Sequence, residues 1–150
     1  MKEFKKSTYV ISAEKVVSRT EVYNYLEDCH YVTTEEKCIV LTGTADEQWP
    51  ITEAKLRETY TFKDGSEIRV IPSGKFEIIP APDAKTIFAE RTTEKVVVET
   101  AWGEKLKANR DGVPHGEGDF IVCGNKDGAP DPDDRWVING LIFEKTYEPV

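Results

Sequence analysis

Residues 49–60, WPITEAKLRETY, and residues 136–147, WVINGLIFEKTY, share one spacing: Trp-x-Ile, four residues, Leu or Phe, two residues, then Thr-Tyr. Trp and Ile two apart point to one face of a strand. Leu56 or Phe143 then falls on the apolar face of a short following helix, and Tyr60 or Tyr147 packs back at its end. Thr52 and Asn139 stand where such a helix needs a cap. The stretch therefore reads as a strand–helix clasp that closes a small core, and the chain contains it twice.

Two further echoes keep the same order. ISAEK at 11–15 recurs as IFAER at 87–91, and IVL at 39–41 as IVC at 121–123. The offsets grow from 76 through 82 to 87 because the second half has longer loops. Collinear echoes point to a duplication, with a first β-rich repeat over 1–75 and a second over 76–150. Units of about 75 residues are marginal alone, so the two are expected to pack as one compact domain.

Between the echoes the chain reads mostly as short strands. STYVISAEKVV (7–17), KCIVLTG (37–43), SGKFEIIP (73–80) and AKTIFAER (84–91) are rich in β-formers. Pro50 in QWPI suits an edge strand. Asp64-Gly65 between two alternating runs predicts a hairpin, and Gly103 marks a turn inside EKVVVETAWGEKLKA (94–108). RTEVYNYLEDC (19–29) predicts a helix, with Val22, Leu26 and Cys29 at helical spacing and Thr20 as cap. A Gly-rich loop (109–118) and an acidic loop (124–135) each lead into a strand. The fold class is α+β and β-dominant: two small similar units in tandem, mostly antiparallel strands, and two or three short helices.

Composition narrows the function classes. The net charge of −8 splits into −2 for the first 75 residues (13 acids, 11 bases) and −6 for the rest (15 acids, 9 bases). Duplex binding needs Lys and Arg to displace counterions, so nucleic acid is not an expected partner. Lys2, Lys5 and Lys6 read as a solvated basic terminus. The first 20 residues lack the apolar run of a secretory signal, and no stretch has the length of a membrane span. Three irregularly spaced cysteines fit free thiols in a reducing cytoplasm.

Residues 85–150 resemble the short PGDYG-type proteins of phages, prophages and bacterial mobile elements. Gly118, Asp119, Phe120, Ile121 and Val122 match the Gly-Asp-aromatic strand start. Trp136, Ile138, Phe143, Thr146, Tyr147, Glu148, Pro149 and Val150 match the closing block. Residues 8–61 resemble it faintly. The chain departs from that pattern in having two copies, in the insert NRDGVPHGE (109–117) with no Pro before Gly118, and in a longer loop before Trp136. The resemblance implies a phage or mobile-element origin and a small β-rich fold, and no reaction.

No phosphate-loop, dinucleotide-binding, nucleophile-elbow or zinc-protease motif is present, and nothing in the sequence calls for a cofactor. Cys29, His30 and Cys38 lack the paired spacing of a zinc site. The acidic run DGAPDPDD lacks the ligand spacing of a calcium loop. His115 with Glu117 or Asp119 is the one candidate for acid–base work, in a small hydrolase or a nucleotide-modifying enzyme. Trp102, alone among the tryptophans in having no partner in the other half, is expected to be exposed at a turn. The leading expectation is a non-enzymatic cytoplasmic binding protein. It takes either a host protein or a small nucleotide-like ligand, held by Trp102, Arg110, His115 and Lys126, and it would sequester that ligand in counter-defence. A structural or assembly role, with homodimers, is the remaining alternative.

Overall fold

Trp49 and Ile51 do lie on a strand, Gln48–Ile51, that runs directly into a helix over Glu53–Thr59. Thr52 caps that helix: its Oγ1 accepts the Lys55 N–H at 3.1 Å. Asn139 does the same for a second helix over Gly140–Thr146, accepting from the Leu141 N–H at 3.0 Å. Around these clasps the computed structural model, which describes residues 1–26, 28–82 and 85–150, forms two units. The first holds residues 8–84; the second holds residues 1–7 together with 85–150. The halves drawn at 75/76 from the sequence meet inside a strand of the first unit, Lys75–Pro80.

Numbered in chain order, β1 (Lys2–Lys6) belongs to the second unit. The first unit then contains β2 (Ile11–Lys15), β3 (Glu21–Asn24), β4 (Cys29–Val32), β5 (Ile39–Thr42), β6 (Gln48–Ile51), α1 (Glu53–Thr59), β7 (Tyr60–Phe62) and β8 (Lys75–Pro80). Its sheet has the order β6-β5-β2-β8-β7, antiparallel throughout. Ile11, Ala13, Ile39, Leu41 and Ile78 meet Leu56 of α1 in the core. Val40, between two core residues, is also buried. β5 is thus covered on both faces, as its unbroken apolar run requires. The β3–β4 hairpin lies beside β6.

Two local expectations are corrected here. The helix over 19–29 is instead the β3–β4 hairpin: Val22 and Asn24 are buried while Glu21 and Tyr23 are exposed, a period of two. Val and Tyr favour the pleated form, and a short apolar pattern supports either period. Asp64-Gly65 makes its turn, with Gly65 at φ 88° and the Gly65 N–H bonded to the Phe62 carbonyl. Residues 67–71, however, do not return as a strand. Ile68 is pulled into the core, where its carbonyl accepts from Arg57 Nε at 3.0 Å. β7 pairs with β8 instead.

The second unit continues with β9 (Ile87–Arg91), β10 (Val97–Glu99), β11 (Lys105–Lys107), β12 (Phe120–Lys126), β13 (Ala129–Ile138), α2 (Gly140–Thr146) and β14 (Tyr147–Pro149). Its sheet order is β13-β12-β9-β1-β14. One face, with Ile87, Ala89, Phe120 and Val122, packs on Phe143 of α2. On the other, Ile121 and Val137 pack under Val98 and Leu106 of the β10–β11 hairpin. Residues 2–6, expected as a solvated basic terminus, form a central strand whose Phe4 meets Phe143 edge-on at 4.9 Å. The acidic loop expected over 124–135 is also a correction. It is a β-hairpin, turning at Asp127 and Gly128 with φ of 54° and 87°. β13 tolerates Pro130 and Pro132 because it is an edge strand, and the register shifts opposite Gly124. No described helix is long and apolar enough to cross a membrane.

Candidate functional site

The Gly-Asp pair proves to be a corner that ties three segments together. Asp119 immediately precedes β12, is 6% exposed, and accepts two backbone N–H groups: Asn109 at 2.8 Å and Gly140 of α2 at 2.9 Å. The Asp119 N–H in turn donates to Asn109 Oδ1 at 2.7 Å, while Asn109 Nδ2 donates to the carbonyls of Thr92 and Glu94. Gly118 sits at φ 136° with its Cα against the Thr92 carbonyl, where no Cβ fits. Gly140 is equally confined by the carbonyls of Gly118 and His115. The carboxylate thus holds the helix start and the loop end onto the sheet.

His115 lies in the loop above this corner. It is half-buried, its carbonyl accepts the Gly118 N–H at 3.1 Å, and its Nδ1 is enclosed without a hydrogen-bond partner among the described residues. Glu117 is exposed. Each Asp119 oxygen holds a backbone donor, so the corner orders chain segments, and no described carboxylate bonds His115 Nδ1.

Lys126 lies at the other end of β12. Six residue steps along a strand span about 20 Å, so His115 and Lys126 flank opposite ends of the sheet. At the Lys126 end an open cleft of about 560 Å³ is lined by Lys85, Thr86, Asn125, Lys126, Asp127 and Asp131. A hydrogen-bond chain orders its floor. Asn125 Nδ2 donates to Thr86 Oγ1 at 2.8 Å, and Thr86 Oγ1 donates to Glu3 Oε2 on β1 at 2.5 Å. The amide oxygen of Asn125 accepts the Gly128 N–H at 2.8 Å, which fixes the amide's orientation. Neither lysine forms an ion pair among the described residues. The cleft therefore presents two ammonium groups, one amide and two carboxylates. Of the residues read from the sequence as ligand contacts, only Lys126 lies in it.

Trp102 is exposed, as expected, on the turn of the β10–β11 hairpin. That hairpin leaves the Asp119 corner at Asn109 and runs over β13, so its turn is carried away from the corner. Arg110 stays beside the corner and is half-buried. Cys29 and His30 are neighbours on β4, where the His30 ring lies against Tyr23, tilted by 31° with centroids 4.5 Å apart; Cys38 is buried. No group of three or more metal-ligating side chains exists among the described residues. The first unit has its own buried carboxylate, Glu47, which lies over Gly43. Nearby, burial pushes the Tyr60 hydroxyl up to about 12, against a hydrogen bond with Tyr9.

Sequence reasoning missed Lys85, Thr86 and Asn125. The first two lie about 40 residues before Asn125, and only the β9–β12 pairing unites them. The chain matches no protein-family model, no curated protein and no solved structure.

Proposed function

We propose that the protein is a non-enzymatic binding protein whose cleft at the turn of β12 and β13 holds a small phosphorylated, nucleotide-like ligand. The observation that carries this is the pairing of two ammonium groups, Lys85 and Lys126, with hydrogen-bonding groups of both kinds in one cleft. Ammonium groups with no ion pair among the described residues suit a phosphate. Asp127 and Asp131 suit the hydroxyls of a sugar, which donate to carboxylates. The volume falls within the range of small-molecule sites. Acid–base chemistry at His115 lacks this support, since no described carboxylate bonds its Nδ1.

Native mass spectrometry of protein purified gently from expressing cells, before and after denaturation, tests the proposal. A released small molecule containing phosphorus is expected. Lys85→Gln and Lys126→Gln should each lower its retention about tenfold or more, the loss of a charge-assisted hydrogen bond. A clean apo mass, or retention indifferent to both substitutions, would overturn the reading.

We also read the two units as copies of one scaffold. What supports this is register. Ala13 stands opposite Leu41 and Phe76; Ala89 stands opposite Val122 and Lys2. Trp49 faces Leu41, and Trp136 faces Val122. Tyr60 starts the strand after α1, and Tyr147 the strand after α2. In each unit an acid two residues before the Trp covers a glycine at or just past the end of the preceding strand's core stretch: Glu47 over Gly43, which follows β5, and Asp134 over Gly124 in β12. These pairings equate Leu41 with Val122, an offset of 81. The IVL/IVC echo, at 82, is one residue out, and such a slip would turn every side chain to the wrong face.

A further inference from the structure

The order of strands along the chain and their order in space disagree in a systematic way. β1 precedes β2 in sequence, yet it lies in the second unit, between β9 and β14. β8 precedes β9 in sequence, yet it lies in the first unit, between β2 and β7. The two strands fill equivalent slots in the same register: Phe4 stands opposite Ile87 and Pro149, and Ile78 stands opposite Ile11 and Phe62. Each run of sequence thus contributes its first strand to the other sheet. That is the topology of a strand-exchanged dimer joined into one chain.

We propose that the slot between β9 and β14 accepts β1 from a second copy of this chain, so that the protein forms strand-exchanged dimers. The physical basis is the way β1 is attached. Among the described residues, its strand and ring partners lie in the second unit: β9, β14, Phe120 and Phe143. Ser7 continues that attachment, donating through its N–H to the Thr146 carbonyl at 2.9 Å. Its covalent continuation is Tyr9, which packs in the first unit's core. The crossover is a single residue, Thr8. No covalent link inside the second unit fixes which chain supplies the strand. A copy from another chain would make the same hydrogen bonds and the same ring contacts. The tether from β1 to its own slot runs through the first unit and residues 81–86, and the balance between monomer and dimer is set by the effective concentration this tether imposes, on the order of millimolar.

The test places a reporter across the slot. Lys5 and Glu148 stand directly opposite each other on β1 and β14. Opposed residues on antiparallel strands are close enough for a disulfide. The variant Lys5→Cys/Glu148→Cys is refolded from denaturant at about 1 μM and at about 1 mM, oxidised and diluted. The link is then located by non-reducing electrophoresis and peptide mapping. At the low concentration the 5–148 disulfide is expected within one chain. At the high one about half of the links should join two chains, given a millimolar effective concentration. A 5–148 link confined to single chains at every concentration would overturn the proposal, and so would dimers lacking that link. The unsubstituted chain, refolded at both concentrations and followed by size-exclusion with light scattering, gives an independent reading. A dimer that forms only at the high concentration and persists on dilution is expected; a monomer throughout contradicts it.

Discussion

Replacing Asp119 separates a structural corner from a catalytic one. In Asp119→Ala the N–H groups of Asn109 and Gly140 lose their acceptors at 2.8 and 2.9 Å, in a place water does not reach. Each stranded buried donor costs about 1–3 kcal/mol. The second unit should therefore lose roughly 2–6 kcal/mol, a large part of what a small domain has. Asp119→Asn keeps one acceptor oxygen but turns an NH₂ toward the other donor, so its loss should be about half as large. Urea unfolding followed by circular dichroism and tryptophan fluorescence measures both. With a slope of about 1–3 kcal/mol per molar, the alanine variant's midpoint for the second unit should fall by about 2 M. His115→Ala, which removes a ring whose Nδ1 has no hydrogen-bond partner among the described residues, should stay within about 1 kcal/mol of the parent. An Asp119→Ala protein as stable as the parent would refute the reasoning. Asp119 would then not hold the corner together.

Gly140→Ala ought to help by propensity alone, since Ala exceeds Gly by about 1 kcal/mol in a helix. Here the added Cβ meets the Gly118 and His115 carbonyls, so thermal melting should show a loss of stability instead. Tyr60 gives a pH signature. Burial raises its hydroxyl from about 10 to about 12, so the folded chain holds this proton more tightly than the unfolded one. The corresponding stability is complete below pH ~10 and is lost as pH rises through the folded value, amounting to roughly 2–3 kcal/mol. Urea midpoints measured from pH 9 to 12 should fall more steeply for the parent than for Tyr60→Phe, and equal slopes would contradict the assignment.

The parts of the fold that local chemistry determines were legible in the sequence. Thr52 and Asn139 announced both helices, the β-forming residues around ISAEK and IFAER announced their strands, and Gly103 announced its turn. Two segments misled for physical reasons. Residues 19–29 satisfy a helical and a strand period at once, and burial of Val22 with Asn24 decides between them. Residues 129–135 look like a loop because their acids and prolines suit water, which an edge strand also faces. The position of β1 and the cleft were not legible, because both depend on which strands become neighbours. Glu3, Thr86 and Asn125 form one hydrogen-bond chain only once β1, β9 and β12 share a sheet.

The placement of β1 is what both the cleft and the exchange depend on, and amide hydrogen exchange measures it directly. Paired on both sides, the amides of Glu3, Phe4 and Lys5 should be protected as strongly as those of Phe88 and Ala89 on β9, against which β1 lies. Exchange of residues 3–5 at the rate of an unstructured peptide, while β9 stays protected, would remove β1 from the sheet. It would remove with it the support of Thr86 and the basis for strand exchange.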